Sequence, residues 1–176
     1  MSEKRIVLSK KICMLGSFGV GKTSLVRRFI YDEFRENYRS TMGVQILQKI
    51  VSLTKDNSFG IKLILWDIAH IEKFNRVIKN YFRGSHGAIV VCDITRSQSF
   101  QGMDIYLKPY LEMNPKSKLI FVGNKIDLVD KNSFDMEQLL QISKALKSPF
   151  ITTSAKTNEN VDELFNKLGT LLVKAE

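Results

Sequence analysis

The stretch GSFGVGKT, residues 16–23, holds the clearest chemical signal in the chain. Its spacing is G-x-x-x-x-G-K-[S/T], set between an apolar run and a helical pattern, and that arrangement cradles phosphate. Glycines let the backbone wrap an anion closely, with several N–H groups pointing inward. A helix starting at Lys22 adds the positive end of its dipole. The expected phosphate and nucleotide contacts are Gly16, Ser17, Phe18, Gly19, Val20, Gly21, Lys22, Thr23 and Ser24. The Lys22 ammonium can reach the β- and γ-phosphates, and the Thr23 hydroxyl can ligate Mg2+.

A phosphate loop does not name the base. NKID, residues 124–127, directly follows the apolar run LIFVG. That is the carboxyl end of a predicted strand, where open α/β sheets bind ligands. A carboxylate accepts two hydrogen bonds from guanine N1–H and the exocyclic amine, and adenine offers no such donor pair. Asp127 is therefore the candidate guanine reader, with Lys125 a cover for the base plane and Asn124 a further member of the base site. SAK, residues 154–156, follows the last predicted strand. Backbone N–H groups of Ser154 and Ala155 can meet the guanine oxygen, and Lys156 completes the set. A third segment, WDIAHIE at 66–72, leaves the apolar run IKLIL. An aspartate in that position can hold a metal ion, which makes Asp67 a metal candidate beside Thr23. The residues after it, Ala69, His70 and Ile71, include neither glycine nor a polar amide.

Positioning these residues takes alternating strands and helices. Residues 11–15, 87–92 and 119–123 are continuous apolar runs, as in parallel strands covered on both faces. Residues 44–53 alternate, 54–60 form a turn and 61–67 a partner strand, which predicts an antiparallel hairpin. FITT, residues 150–153, supplies the sixth strand. Helices are predicted over 22–31, over 99–113 with Pro109 kinking it or ending it early, and over 136–146 behind Asp135 as N-cap. In the last helix Val161, Leu164, Phe165, Leu168, Leu171 and Leu172 share one stripe. Residues 32–41 read as a polar loop. The order argues an α/β fold, a mostly parallel sheet sandwiched by helices. No repeat or linker divides the chain, so one domain is expected over 1–176, with 1–9 a short N-terminal extension.

Composition agrees. With 176 residues, 44% hydrophobic and 26% charged, the chain suits one soluble globular domain. No apolar run approaches the roughly eighteen residues of a membrane span, and the charged N-terminus lacks the features of a secretory signal. Cys13 and Cys92 lie in strand-like runs and read as reduced core thiols, which points to the cytoplasm. A net charge of +9 raises nucleic acid or acidic lipid as partners. Lys and Arg are spread along the whole chain without interleaved aromatics, so a solvated basic surface and no nucleic-acid partner are expected. His86, just before a core strand, reads as a surface or packing residue.

Over residues 8–174 the chain resembles the Ras superfamily of small GTPases, most closely the Rab branch. The resemblance rests on GSFGVGKT, YRSTMGV (38–44), WDIA, NYFRGSHGAIVVCDITRSQSF (80–100), NKID and SAK. It implies a P-loop NTPase G-domain: a six-stranded mixed, mostly parallel sheet flanked by about five helices. It implies binding of GTP or GDP with Mg2+, nucleotide-dependent switching, and attack of water on the γ-phosphate. By the same resemblance Thr41 would ligate Mg2+ through its hydroxyl and meet the γ-phosphate with its N–H. Phe34 would pack against guanine, Tyr38 would close over the phosphates, and Asp67 would hold Mg2+ through water. Lys22 and Thr41 are the implied catalytic groups. Effectors, an exchange factor or a GTPase-activating protein would engage residues 34–46 and 67–83. The resemblance also implies work in vesicle transport at the cytosolic face of membranes. No cysteine stands near the C-terminus, so no lipid anchor is expected in this chain, and membrane contact would be peripheral, through partners. A removed tail and a soluble relative both fit that ending.

The family's second switch reads D-x-x-G-Q. Its glycine N–H senses the γ-phosphate and its glutamine orients the attacking water. Here His70 takes the place of the glycine and Ile71 that of the glutamine. Isoleucine has no hydrogen-bonding atom, whereas histidine keeps a backbone N–H. Phe18 stands where the family has a small residue, and it would crowd the approach of an arginine finger, which is worth roughly a thousand-fold to a hundred-thousand-fold in rate. Three readings follow: hydrolysis is impaired and the GTP form long-lived; His70 or Glu72 takes over water positioning or charge stabilisation; or the segment is remade for partner binding.

Overall fold

The computed structural model describes residues 6–36, 43–68, 76–130 and 137–173. Apolar continuity marks the central strands. GAIVVCD is buried at every position and KLIFVGN at all but its first, because each strand has a parallel neighbour on both sides and helices over both faces. The strands are β1 (Ile6–Leu15), β2 (Val44–Ser52), β3 (Phe59–Ile68), β4 (Gly87–Asp93), β5 (Lys118–Asn124) and β6 (Phe150–Thr153). The helices are α1 (Lys22–Tyr31), α2 (Arg76–Phe82), α3 (Asp104–Met113), α4 (Glu137–Ala145) and α5 (Val161–Val173). They build the expected mixed sheet of six strands in the order β2-β3-β1-β4-β5-β6. Only β2 runs antiparallel, paired with β3 in the predicted hairpin.

Register decides where the chemistry gathers. Met14 pairs with Asp67, Leu15 with Val90, Asp93 with Asn124, and Asn124 with Thr153. The carboxyl ends of five parallel strands therefore lie along one edge of the sheet. β1 is flanked by β3 on one side and β4 on the other, so the chain's connections diverge there. A crevice outside the carboxyl end of such a strand is the usual ligand position in open α/β sheets.

Two apolar layers hold the sheet. On one face Phe29 of α1 stacks on Phe165 of α5, with ring centroids 3.8 Å apart. The predicted α5 stripe is buried there at Val161, Leu164, Phe165, Leu168 and Leu172, with Leu171 at its margin. On the other face Phe82 meets Tyr110 edge-on at 5.3 Å, beside Cys13 and Cys92, both buried free thiols. No described helix is long and apolar enough to cross a membrane.

Several predicted boundaries shift. β1 begins at Ile6 rather than at residue 11. Its first half pairs only with β3, while residues 12–15 also pair with β4, so that half needs less apolar sequence. The predicted turn 54–60 is shorter, because β3 already starts at Phe59. The helix predicted over 99–113 is split into a 3-10 turn at Ser97–Ser99 and α3 from Asp104. Gly102, at φ +74, breaks the periodicity between them, which lets Phe100 and Met103 turn into the core. Pro109 does not end α3, which runs on to Met113. The carbonyl it leaves unbonded belongs to Ile105, on the exposed side of the helix. α4 ends one residue earlier than the predicted 146, at Ala145, and residues 135 and 136 at its predicted start lie outside the described residues. His86 is exposed, as a surface residue, and its Nδ1 accepts the Lys11 N–H at 3.1 Å.

Candidate functional site

The phosphate loop leaves β1 at Gly16. A Cβ on Gly16 would stand 2.3 Å from the Val91 carbonyl oxygen, so the first loop position accepts only glycine. Val20 is buried beneath the loop, Ser17 is half-buried, and Phe18 is 61% exposed. Gly21, at φ +97, is the residue before α1. Lys22, Thr23 and Ser24 form the first turn of that helix, and a helix N-terminus is a favourable position for an anion. Lys22 is buried, and its ammonium donates to the carbonyls of Gly16 at 2.8 Å and Ser17 at 3.0 Å. Burial pushes its pKa down to about 8, against the opposing pull of Asp67.

β3 delivers Asp67 to the same place. Thr23 Oγ1 donates to Asp67 Oδ2 at 2.5 Å, while Asp67 Oδ1 is buried without a hydrogen-bond partner among the described residues. Burial raises the Asp67 pKa, opposed by the Thr23 hydrogen bond and the Lys22 charge. A buried, unsatisfied carboxylate oxygen is costly unless something completes it. An oxygen-only set of hydroxyl and carboxylate suits a hard cation such as Mg2+, which takes few protein ligands and fills its octahedron with water and phosphate. The residues present fit the metal that the sequence implies. Thr41, the third expected ligand, lies outside the described residues, as do Tyr38, His70 and Ile71.

At the base end, β5 stops at Asn124, which is buried. Its Nδ2 donates to the Val20 carbonyl at 2.9 Å, and its Oδ1 accepts from Thr153 Oγ1 at 3.1 Å and the Ala155 N–H at 3.3 Å. Lys125 follows in the left-handed region, φ +71, and its ammonium pairs with Asp93 at 2.7 Å. Asp127 sits exposed in the 3-10 turn Ile126–Leu128, with Oδ1 fixed by Ser154 Oγ at 2.6 Å. Ser154 Oγ also accepts the Thr157 N–H at 3.0 Å. Arg28 of α1 holds the SAK loop through the carbonyls of Ala155 at 2.9 Å and Lys156 at 3.0 Å. Lys156 itself pairs with Glu36 at 3.1 Å. Phe34 is half-buried against the α1–α5 core.

The fold thus brings GSFGVGKT, Asp67, NKID and SAK to one edge, with the glycine-rich loop and Asp67 at one end and NKID and SAK at the other. Sequence reading missed the residues that fasten these parts together: Arg28, Asp93, Arg96 and Thr153. Asp93 carried a usable signal, since it leaves a buried strand as Asp67 does. Burial raises the Asp93 pKa, but hydrogen bonds from Lys125 and Thr95 outweigh that and leave it lowered.

Comparison with known proteins agrees with this geometry. The sequence profile of the Ras family matches residues 11–174. The chain is 37% identical over 156 residues to the GTP-binding protein YPT1 of Saccharomyces cerevisiae, an alignment covering 88% of this chain and 74% of that one.

Proposed function

The chain belongs to the Ras family, as a Rab-like GTP-binding protein, and from that footing we propose that it is a Mg2+-dependent switch that cleaves GTP slowly. The observation that carries the slow rate is the sequence Ala69-His70-Ile71 directly after the β3 terminus. Asp67 stands ready for a metal, while the residue due to orient water is an isoleucine with no atom to do so.

In this reading Lys22 exchanges its bonds to the Gly16 and Ser17 carbonyls for β- and γ-phosphate oxygens. Loop amides and the first turn of α1 hold the remaining phosphate charge. Asp127, oriented by Ser154, accepts the guanine N1–H and amine. Thr23, Asp67 and Thr41 would hold Mg2+, which would supply positive charge beside the phosphates. Phe18, 61% exposed on the loop, narrows the path for an arginine supplied by an activator. Effectors and regulators engage residues 34–46 and 67–83, where Ile46 and Val77 offer exposed apolar side chains, and such partners bring the protein to the cytosolic face of membranes. The same substitutions favour one second reading, an interaction scaffold that stays loaded with GTP.

Single-turnover hydrolysis by purified, GTP-loaded protein tests both readings. The switch requires a measurable rate that Ile71→Gln, combined with His70→Gly, raises by at least about tenfold. A rate equal to the buffer control sinks the enzyme and leaves the scaffold. No gain from the double variant shifts the cause to Phe18 or to switch geometry.

A further inference from the structure

Arg96 lies just beyond β4 and reaches back over the phosphate loop. Its Nε donates to Asp93 Oδ2 at 2.9 Å and its Nη2 donates to the Phe18 carbonyl at 3.0 Å. Asp93 is itself buried and fixed: Thr95 donates to Oδ1 through its N–H at 3.0 Å and its hydroxyl at 2.6 Å, and Lys125 pairs with Oδ2. The guanidinium is therefore not a solvent-loose surface group. It is a planar fork with one tine on a rigid carboxylate and the other on the loop.

That second contact has a directional consequence. The Phe18 C=O and the Gly19 N–H belong to one trans peptide unit and point opposite ways. Holding the carbonyl on Arg96 turns the Gly19 N–H away from the guanidinium. Gly19 sits at φ +72, and a Cβ there would lie 3.5 Å from Arg96 Nη2. A glycine-flanked peptide of this kind rotates easily when nothing grips it. We propose that Arg96 is a positioning residue that locks the Phe18–Gly19 peptide, keeps the Gly19 N–H in its phosphate-binding orientation, and thereby slows release of the guanine nucleotide. The inference rests on nucleotide occupying this loop as described above. Arg96 touches no phosphate in this role and acts through the loop alone.

A fork and a point charge differ here. Lysine keeps the positive charge but cannot hold the Asp93 carboxylate and the Phe18 carbonyl in one plane. The test is displacement of a fluorescent GDP analogue, in excess Mg2+, from the wild type, Arg96→Ala and Arg96→Lys. Circular dichroism serves as the check on folding at Arg96, whose side chain is 46% exposed. Release is expected to accelerate about tenfold in Arg96→Ala, the scale of one lost charge-assisted hydrogen bond, with Arg96→Lys closer to alanine than to wild type. Release within about twofold of wild type in Arg96→Ala, or full restoration by lysine, overturns the inference. A wild-type chain that retains no GDP instead overturns the nucleotide reading beneath it.

Discussion

Asn124 Nδ2 donates to the Val20 carbonyl at 2.9 Å, across 104 positions of sequence. The motif at the end of β5 is thereby bolted to the loop that follows β1, and the same side chain receives Thr153 at the end of β6 and Ala155 in the loop that follows it. Replacing Asn124 with alanine breaks all three bonds and orphans buried groups, each worth about 1–3 kcal/mol. Asn124→Ala should release GDP at least about tenfold faster and melt several degrees lower, since roughly 2–4 °C follows each kcal/mol in a domain of this size. Nucleotide displacement and thermal melting read the two effects.

Gly21 presses on that same amide. A Cβ there would stand 2.3 Å from Asn124 Nδ2, at a backbone φ of +97. Gly21→Ala must push Asn124 out of its position, so the expectation is a chain that folds poorly or binds no nucleotide. A variant with wild-type affinity by equilibrium titration would contradict the geometry.

Asp67 accepts the Thr23 hydroxyl on Oδ2, and its Oδ1 is the oxygen proposed to face Mg2+. Removing Mg2+ with a chelator should speed GDP release from the wild type. Asp67→Asn keeps the shape but loses the charge on the unsatisfied oxygen, so the Mg2+ needed for slow release should rise about 10–100-fold, as for other groups that orient a metal's ligands. Release rates measured across a Mg2+ titration give that midpoint directly.

Lys22 predicts a pH dependence with a definite sign. Its pKa in the empty site is about 8, against an ordinary 10.5, so between those values the empty loop holds it neutral. Phosphate favours the charged form. Binding GDP near pH 9 should therefore take up a proton, and affinity should fall as pH rises through about 8. For the empty protein, the unfolded chain binds more protons in that window, so its stability rises with pH there. Calorimetry in buffers of different ionisation enthalpy detects the uptake, and none at pH 9 would contradict the buried state of the ammonium.

Phe165 tests the scaffold apart from the site. Its ring stacks on Phe29 at 3.8 Å and is fully buried. Phe165→Ala should cost about 3–5 kcal/mol, visible in denaturant unfolding, and Phe165→Leu clearly less.

Legibility followed the range of the signal. GSFGVGKT was readable because a phosphate loop is one contiguous turn between a strand and a helix, and its glycines are demanded by local backbone geometry. NKID and SAK were readable because each abuts an apolar run. Arg28 and Arg96 were not, since a surface arginine and a clamping arginine have the same sequence. The break before α3 was missed because Gly102 interrupts an otherwise helical pattern by a single left-handed residue.

The sequence by itself determined which groups follow the strands: a glycine-rich loop with Lys22 and Thr23, carboxylates at Asp67 and Asp127, and an isoleucine at position 71. These are properties of single side chains and short turns, which need no knowledge of distant neighbours. Tertiary structure decided what each polar group is bonded to. Asn124 meets Val20, Thr23 meets Asp67, and Asp93 takes both Lys125 and Arg96, because a parallel sheet in the order β2-β3-β1-β4-β5-β6 brings those ends side by side. Such partnerships depend on angstrom distances between residues remote in sequence, and only the assembled sheet sets them.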